Sequence, residues 1–337
     1  MVIVPAICIK GWRSIIAPPG NSIKARLKGG APRWKSSGSF LFITRIFIKP
    51  TNLCEKTVMQ KFSPAELAVL FANIEVDDEI DLAASLPGRV DFACSVGTRR
   101  ACYYMALQLL NTYVDIPAFR RLVATIIAQR AADADQIAAY RKARTCFKHM
   151  RFCCANFDAR HRYPQHLNAI IVTQGRLQDA IINRQKARIV LLGSQLWLML
   201  SPVSCYFLRQ RLAAYRPGSD KRYYRRLNRE NGRLAQFLTR EPLAGTGEEL
   251  HSLRKIISRR VALNDALRSL RPSAGLDAVS LYLASLNGML GDVHDDLIKW
   301  DAAGTIDYKR HVFTLPPAIA DRLKIFSNSQ IRYSPPP

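Results

Sequence analysis

Eight apolar residues towards the C-terminal end, Leu276, Val279, Leu283, Leu286, Leu290, Val293, Leu297 and Trp300, are spaced alternately by three and four. Only a helix puts such a series on one stripe, and an apolar stripe must pack against other helices. The stretch before it carries a capping signal, Thr246 with Glu249 three residues on. His251, Arg254, Lys255, Ser258 and Arg259 then follow at helical spacing on one face. Arg271, Pro272, Ser273, Ala274 and Gly275 separate the two halves as a break between antiparallel helices. Residues 246–300 therefore read as a helical hairpin with a packed side and a cationic side.

The same periodicity makes the chain mainly α. Ser63, Pro64 and Glu66 form a helix start, with Phe62 placed to staple onto Leu67. That helix is expected to end near Ile74, where an acidic connector begins (75–81, EVDDEID). The connector lacks the alternating ligands and turn glycine of a calcium loop, so it reads as a solvated acidic patch rather than a cation chelate. Tyr103, Leu107, Leu110 and Tyr113 form the next stripe. A long helix is predicted over 119–143, with Leu122, Ile126 and Ile127 inward, and it continues towards Arg151. Residues 167–188 give a further helix with Ile170, Ile171, Leu177, Ile181 and Ile182 as core.

Residues 189–208 hold twenty residues without a charge, between Arg188 and Arg209. That length could cross a hydrocarbon core of roughly 30 Å as a helix. Gly193, Ser194, Gln195, Ser201, Pro202 and Ser204 dilute it, and Pro202 separates two helices more naturally. The reading is a buried helix and a turn, with a membrane anchor as the alternative. Residues 208–242 are strongly basic, and Arg222, Arg225, Arg226, Arg229 and Arg233 recur at three and four on one face. Tyr206, Tyr215, Tyr223, Tyr224 and Phe237 are interleaved with these cations. Past residue 300 one short helix is expected over 317–326.

Charge narrows the class of partner. The chain has 50 Lys and Arg against 26 Asp and Glu, a formal net charge of +24. Such an excess repels itself in the folded state and calls for a polyanion: nucleic acid, polyphosphate or an anionic membrane. Residues 1–61 hold eleven Lys and Arg and one acid, Glu55, with Gly, Pro and Ser clustered at 17–20 and 29–39. They read as a flexible basic arm. Its first apolar run, 7–9, is too short for a signal-peptide core. The eight cysteines show no Cys-x-x-Cys pair or regular spacing, which fits small buried thiols in a reducing cytosol. His161 and His166 flank Pro164 with no cysteine or third histidine nearby, so no metal site is assigned. His149 reads as a surface or partly buried histidine. No phosphate-binding glycine loop, nucleophile elbow or His-Glu-x-x-His occurs, so neither a cofactor nor a catalytic residue is expected.

Two segments carry a family resemblance. Leu250-His251-Ser252-Leu253-Arg254-Lys255 opens one helix, and Leu286-Asn287-Gly288-Met289-Leu290-Gly291-Asp292-Val293-His294-Asp295 follows in the next. Together they resemble the second half of the CHAD family, conserved-histidine α-helical domains associated with inorganic polyphosphate. Residues 140–151 resemble its first signature, with Arg144, Lys148 and Arg151 at cationic positions. Arg141 stands where the family has a histidine, which preserves charge but departs from a two-histidine site. The resemblance covers about 119–300. It implies two antiparallel helical bundles related by a pseudo-twofold, with a basic groove between them. It further implies non-catalytic binding of polyphosphate, in the cytoplasm and at polyphosphate granules, by His251, Arg254, Lys255, Arg259, Arg141, Arg144, Lys148 and Arg151. Arg222, Arg226, Arg229 and Arg233 would extend the wall. His251 could instead bond Asp292 or Asp295 across the hairpin, and His294 reads as structural. The domain plan is then a basic arm (1–61), a helical extension (62–118), the CHAD-like domain (119–300) and a tail (301–337). A nucleic-acid-binding protein is the rival reading, with the interleaved aromatics stacking on bases.

Overall fold

Among the described residues, seven helices begin where a capping side chain satisfies an orphaned backbone N–H. In the computed structural model, which describes residues 61–76 and 78–332, α1 (Pro64–Glu75) opens on the reciprocal Ser63/Glu66 capping box. The expected basic arm lies outside the described residues, apart from Lys61. After the short strand β1 (Arg89–Asp91), Ser95 caps α2 (Val96–Tyr113), and Asp115 caps α3 (Ile116–Gln129). α4 (Ala134–Phe157) is a separate helix. The single helix expected over 119–143 is therefore broken. Arg130 turns into the left-handed region (φ 54°), and Asp133 with Gln136 builds a new capping box.

α5 (Gln165–Ile182), α6 (Lys186–Met199) and α7 (Pro202–Ala213) follow. Ile182, expected in the core, is exposed at the last turn of α5. The uncharged run 189–208 is divided where proline predicts it: Ser201 caps α7, Pro202 opens it, and the helices meet at 61°. Among the described residues no single helix is long and apolar enough to cross a membrane; this bent pair passes only by length and composition.

α8 (Asp220–Leu238), β2 (Ala244–Thr246), α9 (Gly247–Leu270), α10 (Ala274–Ala302), β3 (Val312–Thr314), α11 (Pro317–Asn328) and β4 (Gln330–Arg332) complete the order. The fold is mainly α, with two-stranded pieces only: β1 pairs parallel with β4, and β2 antiparallel with β3. The Thr246/Glu249 box and the Ser273 cap place α9 and α10 as the hairpin read from the sequence. On α10, Val279, Leu283, Leu286, Leu290 and Leu297 are buried, whereas Trp300, at the end of the stripe, is exposed.

α9 is the central helix. Ile257, Val261, Leu263, Ala266 and Leu267 are buried between α10, α4, α1 and α2. Burial of each large aliphatic side chain contributes about 1.5–3 kcal/mol. α1 and α2 pack on this core, and Asn73 of α1 donates to Ser269 of α9 at 2.8 Å. α4 lies against α2 and α9 on one side and against α5 and α3 on the other. That position decides the site, because α4 and α9 carry the two cationic stripes.

Candidate functional site

The stripe on α4 consists of Arg144, Lys148 and Arg151, three and four residues apart, with Arg141 exposed one turn earlier. Arg144 can lie on α5 because Gly175 has no side chain: a Cβ there would sit 3.3 Å from the guanidinium. The Arg144 Nε is buried without a hydrogen-bond partner. Arg151 donates to Asn168 Oδ1 of α5 at 3.4 Å and lies over the rings of Phe152 and Tyr163. Lys148 reaches the Asp78 carboxylate at 3.3 Å.

The stripe on α9 meets it. Arg254 lies on α10 at Gly291, where a Cβ would come within 2.8 Å of its guanidinium, and it approaches Asp78 at 4.0 Å. His251 stacks on His294, with ring centroids 5.1 Å apart, and His294 meets Tyr308 edge-on. His294, not His251, takes a carboxylate partner: its Nδ1 is 3.0 Å from Asp295 Oδ1. His251 Nδ1 is buried without a hydrogen-bond partner. Ser258 turns inward and donates to Asn287 of α10 at 2.7 Å.

The two stripes share one electrostatic field. Burial lowers the Lys255 ammonium below its ordinary value, and Arg151 and Arg259 lower it further. Burial likewise lowers Arg151; the ring of Tyr163 opposes this, while Arg144 and Arg259 add to it. His251 is driven to about 4, first by burial and then by Lys255, His294, Arg254 and Arg151. Cations from two packed helices about a hundred residues apart in sequence thus repel one another.

α8 contributes less uniformly than its spacing suggests. Glu230, in the middle of its arginine run, is buried and accepts from Arg226 (3.0 Å), Arg259 (2.8 Å) and Arg260 (2.8 Å). Burial alone would raise this carboxyl, but Arg260, Arg226 and Arg259 outweigh it and hold it at about 2. Arg226 is pushed down to about 10 by burial and touches His161 Nδ1 at 3.4 Å. Arg226 and Arg259 therefore do structural work, though three guanidiniums on one carboxylate leave the cluster positive. Arg222 donates to the Ala159 carbonyl, Arg229 is exposed, and Arg233 faces Lys255 and Arg259 across an open cleft of about 520 Å³ between α8 and α9.

Two carboxylates were not legible as parts of this site. Glu230 is one, and Asp78 is the other. The acidic connector is not simply solvated: Asp78 accepts from Asn287 Nδ2 (2.5 Å) and Lys148, and Asp81 exchanges backbone bonds with the Ser285 hydroxyl. Burial raises Asp78, but Lys148, Arg254 and Arg144 hold it below the usual carboxylate range. Asp179 and Asp295 lie near the same cations; Asp179 is raised by burial, with Asp295 adding to it against Arg144.

The remaining histidines are accounted for locally. His149 is buried, contrary to the surface reading, and its Nε2 lies 3.3 Å from Cys153 Sγ. Burial raises that thiol and lowers the imidazole to about 4, so both are neutral. His166 contacts the Met199 carbonyl. Among the described residues no group of three or more His, Cys, Asp or Glu is placed to hold a metal ion. Of the aromatics interleaved with the basic segment, Tyr215, Tyr223, Tyr224 and Phe237 are buried and Tyr206 is exposed.

The arrangement is a cluster of guanidiniums and ammoniums on neighbouring helices, with the Arg144 Nε donor and the His251 Nδ1 buried and unpartnered. Its chemistry suits non-bridging oxygens of phosphates: arginine donates in pairs and lysine acts as a point charge. Comparison with models of protein families, with curated proteins and with solved structures finds no match.

Proposed function

We propose that this chain binds inorganic polyphosphate, or a polyanion of similar charge density, on the cationic surface that α4 and α9 share, without chemistry on it. The observation that carries the reading is the convergence of Arg144, Lys148 and Arg151 with His251, Arg254, Lys255 and Arg259 in one field. Gathering like charges costs folding stability, and a repeating anion is what recovers it. The resemblance to the CHAD family supports the same reading, because the segments that carry it lie on α4, α9 and α10, which pack together around these cations. By that reading Arg233 extends the wall, while Arg141 and Arg222 lie at its edges.

Nucleic acid is the second reading, favoured by the exposed Arg225 and Arg229 on α8. Against it, four of the five interleaved aromatics are buried and cannot stack on bases. A competition separates the two. Labelled polyphosphate is titrated with the protein near physiological salt, then challenged with single-stranded RNA or duplex DNA at equal phosphate. The Arg254→Ala/Lys255→Ala variant should lose roughly tenfold to a hundredfold in affinity, the worth of one or two charged hydrogen bonds. Ready displacement by RNA or DNA, with the variant binding as wild type, would overturn the proposal.

A further inference from the structure

The outer surface of α6 and α7 is apolar and framed by cations. The inner face of α6 is fully used: Ile189, Leu192 and Leu196 are buried, and Gly193 sits so close to Ile127 of α3 that a Cβ there would come within 2.5 Å. On the opposite face, by helical spacing, Leu191 and Leu198 are 59% and 62% exposed. α7 repeats this pattern. Cys205, Leu208 and Leu212 are buried, while Val203 and Phe207, four residues apart on the other side, are 67% and 62% exposed. Tyr206 stands exposed beside Phe207, and Trp197 lies under the Arg120 guanidinium at 4.1 Å. Large apolar side chains exposed together on one bent pair of helices exceed what a solvated surface normally shows.

The charges around this surface choose the partner. No Asp or Glu occurs between Asp179 and Asp220, whereas Arg184, Lys186, Arg188, Arg209, Arg211 and Arg216 are all exposed. The cations stand before and after the apolar centre in sequence. A second copy docked through this face would set six cations against six. The segment 1–61, with eleven cations and one acid, would be repelled in the same way. An anionic lipid surface offers both halves of the complement: an apolar layer for Leu191, Leu198, Val203 and Phe207, and headgroup charge for the long basic side chains.

We infer that the α6–α7 elbow docks the protein on anionic membrane surfaces, lying in the interface rather than crossing it. The elbow joins the two outer faces at 61°, while the inner face of α6 stays packed on α3 and α5 and that of α7 lies beside Leu110 and Phe147. The inference stands apart from polyphosphate binding, since the two surfaces share no residue.

Vesicle co-sedimentation of the full chain tests it. Vesicles of phosphatidylcholine with about one-third phosphatidylglycerol should bring the protein down, and pure phosphatidylcholine should not. The Leu191→Gln/Leu198→Gln/Phe207→Gln variant changes only exposed side chains. It should keep its circular dichroism and its polyphosphate affinity, yet bind the anionic vesicles at least about tenfold more weakly. Equal sedimentation of variant and wild type would overturn the inference, because charge elsewhere would then account for binding. A wild-type protein that stays in the supernatant would overturn it too, as would a dimer in sedimentation equilibrium that the same substitutions abolish.

Discussion

Glu230 shows how one residue sets the state of several others. Its carboxylate holds Arg226, Arg259 and Arg260, of which Arg260 is wholly buried. Removing the carboxylate leaves three guanidiniums facing each other in a dry place. Glu230→Gln should therefore cost about 3–5 kcal/mol, as breaking a buried ion pair does. The same carboxyl fixes part of the acid limb. Its folded value of about 2 lies below the ordinary 4.5, so the unfolded chain binds more protons between those values. Stability is fully present above 4.5 and is lost as pH falls towards about 2. Urea denaturation across that range should show the loss in wild type, and the variant should lack this component. Parallel pH profiles for the two proteins would mean that Glu230 does not titrate as the ion-pair hub.

At the scale of elements, the connector after α1 acts as a strap across α10. Ser285 and Asn287 hold its backbone and Asp78, and Arg322 of α11 donates to the carbonyls of Leu82 and Ala84. The strap sits this close only because Gly288 has no side chain; a Cβ there would collide with the Asp78 carbonyl. Gly288→Ala should lift the strap, cost about 1–3 kcal/mol, and free Lys148 and Arg254 from Asp78. Polyphosphate affinity should then rise while thermal stability falls, and a loss of both would show that the strap positions the cations rather than competing for them. The sequence carries half of this arrangement openly. The boxes at Ser63 and Thr246, the break at Ser273 and the elbow at Pro202 are local chemistry, and so are the α4 and α9 stripes. The break at Arg130 was hidden because an alanine-rich helical pattern runs straight through it, although Asp133 with Gln136 was the available signal. Trp300 and Ile182 were read as core because spacing names a face but not the neighbour that covers it. Glu230 in a run of arginines reads as a minority charge, and Asp78 meets Lys148 only through the path of a loop that no periodicity encodes.

For the molecule as a whole, the excess of 24 positive charges favours a polyanion, and binding one shifts protonation at groups that titrate near neutral pH. His251 reports that change most directly. Burial first, and then Lys255, His294, Arg254 and Arg151, hold it near 4, with Asp295 and Tyr308 beyond His294. In the free protein the unfolded imidazole, with its ordinary 6.5, is the stronger base, so folding loses stability as pH falls from 6.5 towards 4. A phosphate chain beside it opposes the cationic part of this shift, though not the burial, so binding raises the imidazole and takes up part of a proton. A bound value of 6.5 would remove the whole shift, so affinity should be tighter at pH 5.5 than at pH 7.5 by up to roughly tenfold. His251→Gln should flatten that dependence while leaving the arginine and lysine contacts, and their steep salt dependence, in place. Calorimetric titration in two buffers of different ionisation enthalpy counts the proton directly. Proton uptake near pH 6 in wild type, absent in His251→Gln, would place the imidazole in the binding site. The same uptake in both proteins would mean that the cationic surface binds its anion through the arginines and lysines, with His251 acting only as packing against His294.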